Sequence, residues 1–247
     1  LKKISEMYES FSKGQKLIAD YINRQYGRAA YMTAAKLGET VGVSESTVVR
    51  FADELGYEGY PKLQKALQEL IKSKLTSVQR IEVSKSRINE DDVLKSVLQS
   101  DMEKLKITLD EIDKDQFNKI VEIILNARRI YILGVRSSAP LAGFLGFYFN
   151  LLFDDIRIVN TTSESEVFEQ IVHAGKGDLL IGISFTRYSR RTLKSMEFAK
   201  NQGATAIAIT DSKESPLAKA ADYSLFARSD MASFADSLVA PLSVINA

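Results

Sequence analysis

Residues 33–56, TAAKLGETVGVSESTVVRFADELG, read as two short helices hinged at a tight turn. Thr33 suits the cap of a helix whose apolar positions are Ala34, Leu37 and Val41. Gly42 allows the sharp reversal, because glycine takes positive φ without strain. Val43 is placed to plug the angle between the helices. Ser44 caps a second helix with Val48, Phe51, Ala52 and Leu55 on its inner face. That leaves Glu45, Ser46, Val49, Arg50 and Asp53 pointing outward. A short helix with small polar residues in its first turn (Glu45, Ser46, Thr47) and an arginine one turn later suits the DNA major groove. The alternative is an ordinary αα-hairpin in a small bundle. Capping residue, glycine turn and apolar plug coinciding at helix-turn-helix spacing favour the DNA reader.

In such a reader, Glu45, Ser46 and Arg50 are the groups expected to reach base edges, Arg50 to guanine above all. Thr33, Ser44 and Lys62 are expected to cap helices or touch phosphates, which position the protein without reading sequence. Outward from this stretch, Phe11, Ile18, Ala19 and Ile22 form a stripe on a helix that Ser12 caps. Tyr57 to Pro61 is a turn, and Pro61 opens a helix running to about Leu75. Residues 1–77 therefore read as an all-α DNA-binding domain. Residues 78–90 are poor in apolar side chains and read as a linker, and residues 91–247 as a second domain. A helix starting at Asn89 or Asp91 is expected to bury Val93, Leu94, Val97, Met102, Leu105 and Leu109.

Charge follows the same division. Residues 1–80 hold 13 Lys and Arg against 9 Asp and Glu, and residues 81–247 hold 20 against 23. A basic front and a mildly acidic back agree with DNA contact at one end only. With no cysteine there is neither a disulfide nor a thiolate metal site, which suits a cytoplasmic protein. The first residues carry no signal-peptide pattern, and the chain does not start at Met. The apolar run Leu141–Phe153 is too short to cross a bilayer. Being apolar all round, it is either central to the core or shared with a partner chain, and a homodimer is expected. The apolar helical pattern still runs at Ala247, as it would if a further terminal element followed.

From Arg129 onward, short β-branched runs alternate with helical patterns. The runs are Ile130–Leu133, Ile156–Val159, Leu179–Ile183, Ala206–Thr210 and Tyr223–Ala227; the helices start near Ala139, Glu164, Arg191 and Pro216. This predicts an α/β domain with a doubly wound, five-stranded parallel sheet of flavodoxin-like order. Its ligand crevice lies beyond the strands' carboxyl ends. Two hydroxyl-rich loops then face one another, Gly134-Val135-Arg136-Ser137-Ser138 and Ser184-Phe185-Thr186-Arg187-Tyr188-Ser189. Hydroxyls and backbone N–H groups at helix N-termini favour an anion, and Arg136 and Arg187 add charge-assisted bonds to a phosphate. The competing reading is that the hydroxyls only cap helices.

The blocks GVRSSAP, LLIGISFTRYSRRT and AIAITDSKESPLAKAADYSL resemble a sugar isomerase (SIS) domain, a phosphosugar-binding fold. The front, VGVSESTVVRFADELGYEGYPKLQKAL, is similar to the helix-turn-helix domain that precedes SIS domains in the RpiR family of bacterial transcriptional regulators. The resemblance implies a regulator whose DNA affinity is altered by a sugar phosphate. It also places Ser184, Thr186 and Ser189 on the hydroxyls of the phosphate loop, and Ser137 and Ser138 on the serine end of the first loop. Arg136 and Arg187 depart from the pattern, standing where such domains often have glycine. Two readings follow, a ligand seated differently or one more strongly anionic.

Isomerisation requires a base. Glu164 and Glu166 are the base candidates, and Glu164 is also expected to approach the ligand. His173, the only histidine, falls on the side opposite the crevice. Neither a metal nor a cofactor is expected. A phosphosugar isomerase with an added helical domain is the alternative function, and a phosphosugar-binding assembly protein the third.

Overall fold

A computed structural model describes residues 2–74, 92–159, 161, 163–230 and 235–247, with the backbone alone for residues 2, 69–74 and 164. The expected linker, Asn89 and Asp91 lie outside this set. The chain divides into two compact units, residues 1–75 and 76–247.

The first unit is helical: α1 Lys2–Glu6, α2 Lys13–Ala29, α3 Ala34–Val41, α4 Glu45–Glu54 and α5 Tyr60–Lys74. Ser12 accepts from Gln15 N, and Gln15 reaches back to Ser12 N, a reciprocal cap that satisfies two otherwise orphaned donors. Ile18, Ala19, Ile22, Leu37, Val48, Phe51, Ala52 and Leu55 are fully buried and form one core with Leu63 and Leu67 of α5. Phe11 and Phe51 meet edge to face at 5.1 Å. The α5 helix is tied down by polar bonds. Tyr60 donates to Met32 O at 2.9 Å, and Gln64 and Gln68 donate to Met32 O and Ala30 O. Burial pushes the Tyr60 phenol up to about 12.

The second unit runs α6 Val93–Glu111, α7 Lys114–Leu125, β1 Arg129–Gly134, α8 Ala139–Phe149, β2 Ile156–Val159, α9 Glu164–Ile171, β3 Asp178–Ile183, α10 Arg190–Asn201, β4 Thr205–Thr210, α11 Pro216–Ala220, β5 Tyr223–Phe226 and α12 Val239–Asn246. All strand pairs are parallel, in the order β2-β1-β3-β4-β5. Alternate residues serve opposite faces. Ile130, Ile132, Ile181, Ile207 and Ile209 pack with α7, α8 and α12. Tyr131, Leu133, Leu180, Ala206 and Ala208 pack with α9, α10 and α11. A sheet covered on both faces explains why these strands read as apolar runs rather than alternating ones. At its amino end the sheet is pinned by ion pairs. Arg128 donates twice to buried Asp178, at 2.9 Å each, which raises the Arg128 pKa.

Two expectations fail here. The helix α7 is absent from the sequence reading, although Asp113 caps it and Phe117, Ile120 and Ile124 recur at helical spacing. The apolar stripe of α6 is not its buried side. Leu94 and Leu109 are each 72% exposed, Met102 is 62% exposed, and Val93 is exposed too. The inward side instead carries Lys104 and Thr108, with Val97 and Leu105 half-buried. Polar bonding decides this orientation. Thr108 Oγ1 accepts from Arg228 N at 3.0 Å, Arg228 pairs with Glu111, and Lys104 Nζ donates to Ser100. Asp92, not Asn89 or Asp91, caps the helix.

Candidate functional site

In the first unit the hinge forms as its residues dictate. Thr33 Oγ1 accepts from Lys36 N at 3.2 Å, Gly42 takes φ +76°, and Ser44 Oγ accepts from Thr47 N at 3.3 Å. Ser44 also lies 2.9 Å from the hydroxyls of Ser46 and Thr47, so the first turn of α4 presents a joined hydroxyl cluster. Glu45, Ser46 and Arg50 are exposed, with Arg50 Nε donating to Ser46 O at 3.3 Å. Lys62 is exposed on α5. One outward assignment needs correction. Val49 is half-buried and packs against the helical core, as Val43 does. Asp53, though exposed, accepts from Gly59 N at 2.9 Å and holds the turn before α5.

Gly38 is the hinge residue that sequence reasoning missed. A β-carbon there would lie 2.7 Å from Val43 O and 3.3 Å from Glu45 N. The two helices approach through backbone at this point, which only a missing side chain permits. The signal was available as a glycine in the middle of an otherwise helical pattern.

In the second unit, the order of strands reverses between β1 and β3, and the loops following them line one open crevice. Its walls are Val135 to Ser138 on one side, and Ser184 to Arg187 with Ser189 on the other. Arg136, Ser137, Ser138, Ser184, Thr186, Arg187 and Ser189 are therefore brought together. Gly134 makes the first loop possible, since a β-carbon there would meet the Ser138 carbonyl group, with its carbon at 2.9 Å.

The hydroxyls differ in what they have left to offer. Ser184 Oγ accepts from Ser189 N at 3.0 Å, and Ser189 Oγ accepts from Thr192 N at 3.1 Å. Each acts as an acceptor there and has its own proton left to donate, so Ser189 both caps α10 and lines the crevice. Ser138 stands at the N-cap of α8 without a side-chain cap bond. Thr186 is different, because its hydroxyl donates to Asp211 Oδ2 at 2.9 Å. Its proton is engaged, leaving a lone pair and the backbone for a ligand. Tyr188 OH donates to Asp211 Oδ1 at 2.8 Å, and Thr210 adds a third bond.

Asp211, at the end of β4, organises the second loop and was assigned no role from sequence. Its position just beyond a strand's carboxyl end is the one signal that could have found it. Burial pushes its carboxyl above the ordinary aspartate value, and the bonds from Tyr188 and Thr186 pull it back.

Both departures from glycine take left-handed backbone, Arg136 at φ +56° and Arg187 at φ +69°. For a residue with a β-carbon this costs about 1–2 kcal/mol. Both side chains are exposed. Arg187 Nη2 lies 3.8 Å from Asp236 Oδ2, beyond hydrogen-bond reach.

Of the base candidates, Glu166 does not line the crevice. Glu166 is exposed and bonds the Thr161 hydroxyl. The Glu164 side chain lies outside the described residues. His173 is exposed after α9, near the amino end of β3. Among the described residues no group of His, Asp and Glu could hold a metal ion, and no helix is long and apolar enough to cross a membrane.

Comparison with known proteins covers both units. The family model of the SIS domain matches residues 123–247, and that of the helix-turn-helix domain of the rpiR family matches residues 1–74. A Haemophilus influenzae protein described as an uncharacterized HTH-type transcriptional regulator is 27% identical over 91% of this chain and 78% of its own. One from Caldanaerobacter subterraneus, described in the same words, is 28% identical over 100% of this chain and 87% of its own. Among solved structures, the sugar isomerase domain of an RpiR transcription factor from Sphaerobacter thermophilus aligns with a TM-score of 0.60. It is 29% identical and covers 63% of this chain and 86% of that one. The Vibrio vulnificus NanR protein, solved with ManNAc-6P, shares the fold at a TM-score of 0.59 and 22% identity, covering 99% of this chain and 87% of that one.

Proposed function

The chain belongs to the rpiR family of helix-turn-helix regulators that carry a SIS domain, and from that premise we propose that it controls transcription by binding operator DNA with an affinity set by a phosphorylated sugar. The observation that carries the sensor reading is the pair of facing loops, the second of which holds Ser184 and Ser189 with their protons left to donate while they accept backbone N–H groups. Donors fixed at the start of α10 suit a phosphate, and the helix dipole favours its charge. NanR bound to ManNAc-6P supports a sugar phosphate as the ligand class. The isomerase alternative is less well supported. Among the described residues, those lining the crevice bring hydroxyls and arginines rather than a carboxylate, and Asp211 is turned to Thr186 and Tyr188. The protein acts in the cytoplasm on this reading.

On the DNA side, Thr33 and Ser44 position the reader, Lys62 meets phosphate, and Glu45, Ser46, Thr47 and Arg50 face the groove. Arg50→Ala is expected to lower affinity for the operator by 10- to 100-fold and to relax preference at one base pair, as loss of a guanine contact worth about 1–3 kcal/mol requires. Operator titration at fixed salt, with and without sugar phosphate, measures both effects. Unchanged sequence preference would remove α4 from the reading role.

A ligand shifts such a protein only by binding its two arrangements unequally. Readers of this kind act in pairs on two half-sites, and the second copy has a surface to meet. The exposed stripe Leu94, Leu98, Met102 and Leu109 of α6 is apolar while the buried side of the same helix is polar, an inversion that a partner copy resolves. Phe147, Tyr148, Leu151 and Leu152 extend the apolar surface at the end of α8. Leu98→Glu with Met102→Glu is expected to shift sedimentation from dimer to monomer and to weaken operator binding. A dimer surviving both changes would exclude the α6 face.

A further inference from the structure

Resting on the sugar-phosphate reading, we propose that Arg136 and Arg187 are specificity-determining residues for a second anionic group, so that the effector is a sugar phosphate bearing a further carboxylate or phosphate. One phosphate has only three terminal oxygens, and the crevice already supplies the Ser184 and Ser189 hydroxyl protons, whose oxygens are held by Ser189 N and Thr192 N. The arginines come in addition, one from each facing loop, and both line the crevice.

Their hydrogen-bond donors are available. Among the described residues Arg136 makes no ion pair, and the crevice walls contain no acidic side chain. Arg187 forms an ion pair with Asp236 at 3.8 Å, a separation that balances part of its charge but does not consume the guanidinium's hydrogen-bond donors. A guanidinium presents a planar fork that matches carboxylate or phosphate oxygens in pairs.

Their placement is costly. Both residues hold positive φ, where glycine would be unstrained. Two strained arginines at one crevice are what a binding function sustains against the more stable alternative.

The test is a calorimetric titration of the full chain with inorganic phosphate, glucose 6-phosphate, 6-phosphogluconate and fructose 1,6-bisphosphate. At least one of the two doubly anionic probes is expected to bind ten times or more tightly than glucose 6-phosphate. Which one does so tells a carboxylate from a second phosphate. Arg136→Gln and Arg187→Gln should each bring that ratio down to within about twofold. Arg136→Gly adds a readout of opposite sign: the melting temperature of the unliganded protein rises as strain is relieved, while the preference is lost. Equal binding of single and double anions overturns the proposal. So do variants that weaken every phosphate by the same factor, because the arginines would then serve the one phosphate. If none of the probes binds, the sugar-phosphate reading itself fails.

Discussion

Replacing Gly134 by alanine is expected to abolish the response to sugar phosphate while operator binding survives. The added methyl would collide with the Ser138 carbonyl and sit 3.1 Å from Ala142 Cβ. Both obstacles are held firmly: Ser138 N is bonded to Val135 O, and Ala142 is buried in α8. The turn carrying Arg136, Ser137 and Ser138 must therefore move as a unit, at a cost of about 1–3 kcal/mol in overpacking. Ligand affinity should fall by at least tenfold, since every first-loop donor is displaced together. Titration with glucose 6-phosphate and a thermal melt of the full chain measure the two effects. A variant that binds and responds like the wild type would show that the first loop is not part of the site.

The second large effect is expected from Gly38→Ala, and its sign is the informative part. Within a helix, glycine to alanine ordinarily stabilises by about 1 kcal/mol. At Gly38 the new β-carbon would stand 2.7 Å from Val43 O, and the obstacle is backbone, not a side chain that can swing away. The hinge must open, so loss of 1–3 kcal/mol and of operator binding is expected. Gly27 of α2 is the control, being exposed with nothing within 4 Å of its added β-carbon. Gly27→Ala should leave DNA binding in place and raise the melting temperature. If both substitutions stabilise, the close approach at Gly38 is not what sets the hinge.

These two glycines mark the boundary between what is legible in sequence and what is not. Local chemistry was readable because it acts over one turn or one strand. Ser12, Thr33, Ser44 and Ser189 are caps on the helices they precede, each bonded to a backbone N–H three residues on. Strand starts and ends fall within one residue of the β-branched runs, because the central strands β1, β3 and β4 are buried on both faces and leave few polar positions inside them. The strand order followed from alternation of strand and helix, which admits few topologies.

Properties that depend on what lies opposite a residue were not readable. The leucine stripe of α6 is genuine, yet Arg228, more than a hundred residues away, bonds Thr108 and turns the polar side inward. Asp211 is an unremarkable aspartate in sequence and becomes the anchor of the second loop only once β4 lies beside β3. Arg136 and Arg187 could be seen to stand in place of glycine, but their left-handed backbone is imposed by the turns that join β1 to α8 and β3 to α10. The sequence by itself determined the helical reader, the parallel sheet and which loops meet at the crevice, since these rest on contacts between near neighbours and on strand period. Tertiary structure alone decided which hydroxyls keep a proton, which helix face is left uncovered and where backbone strain is held, since each is set by a partner distant in the chain.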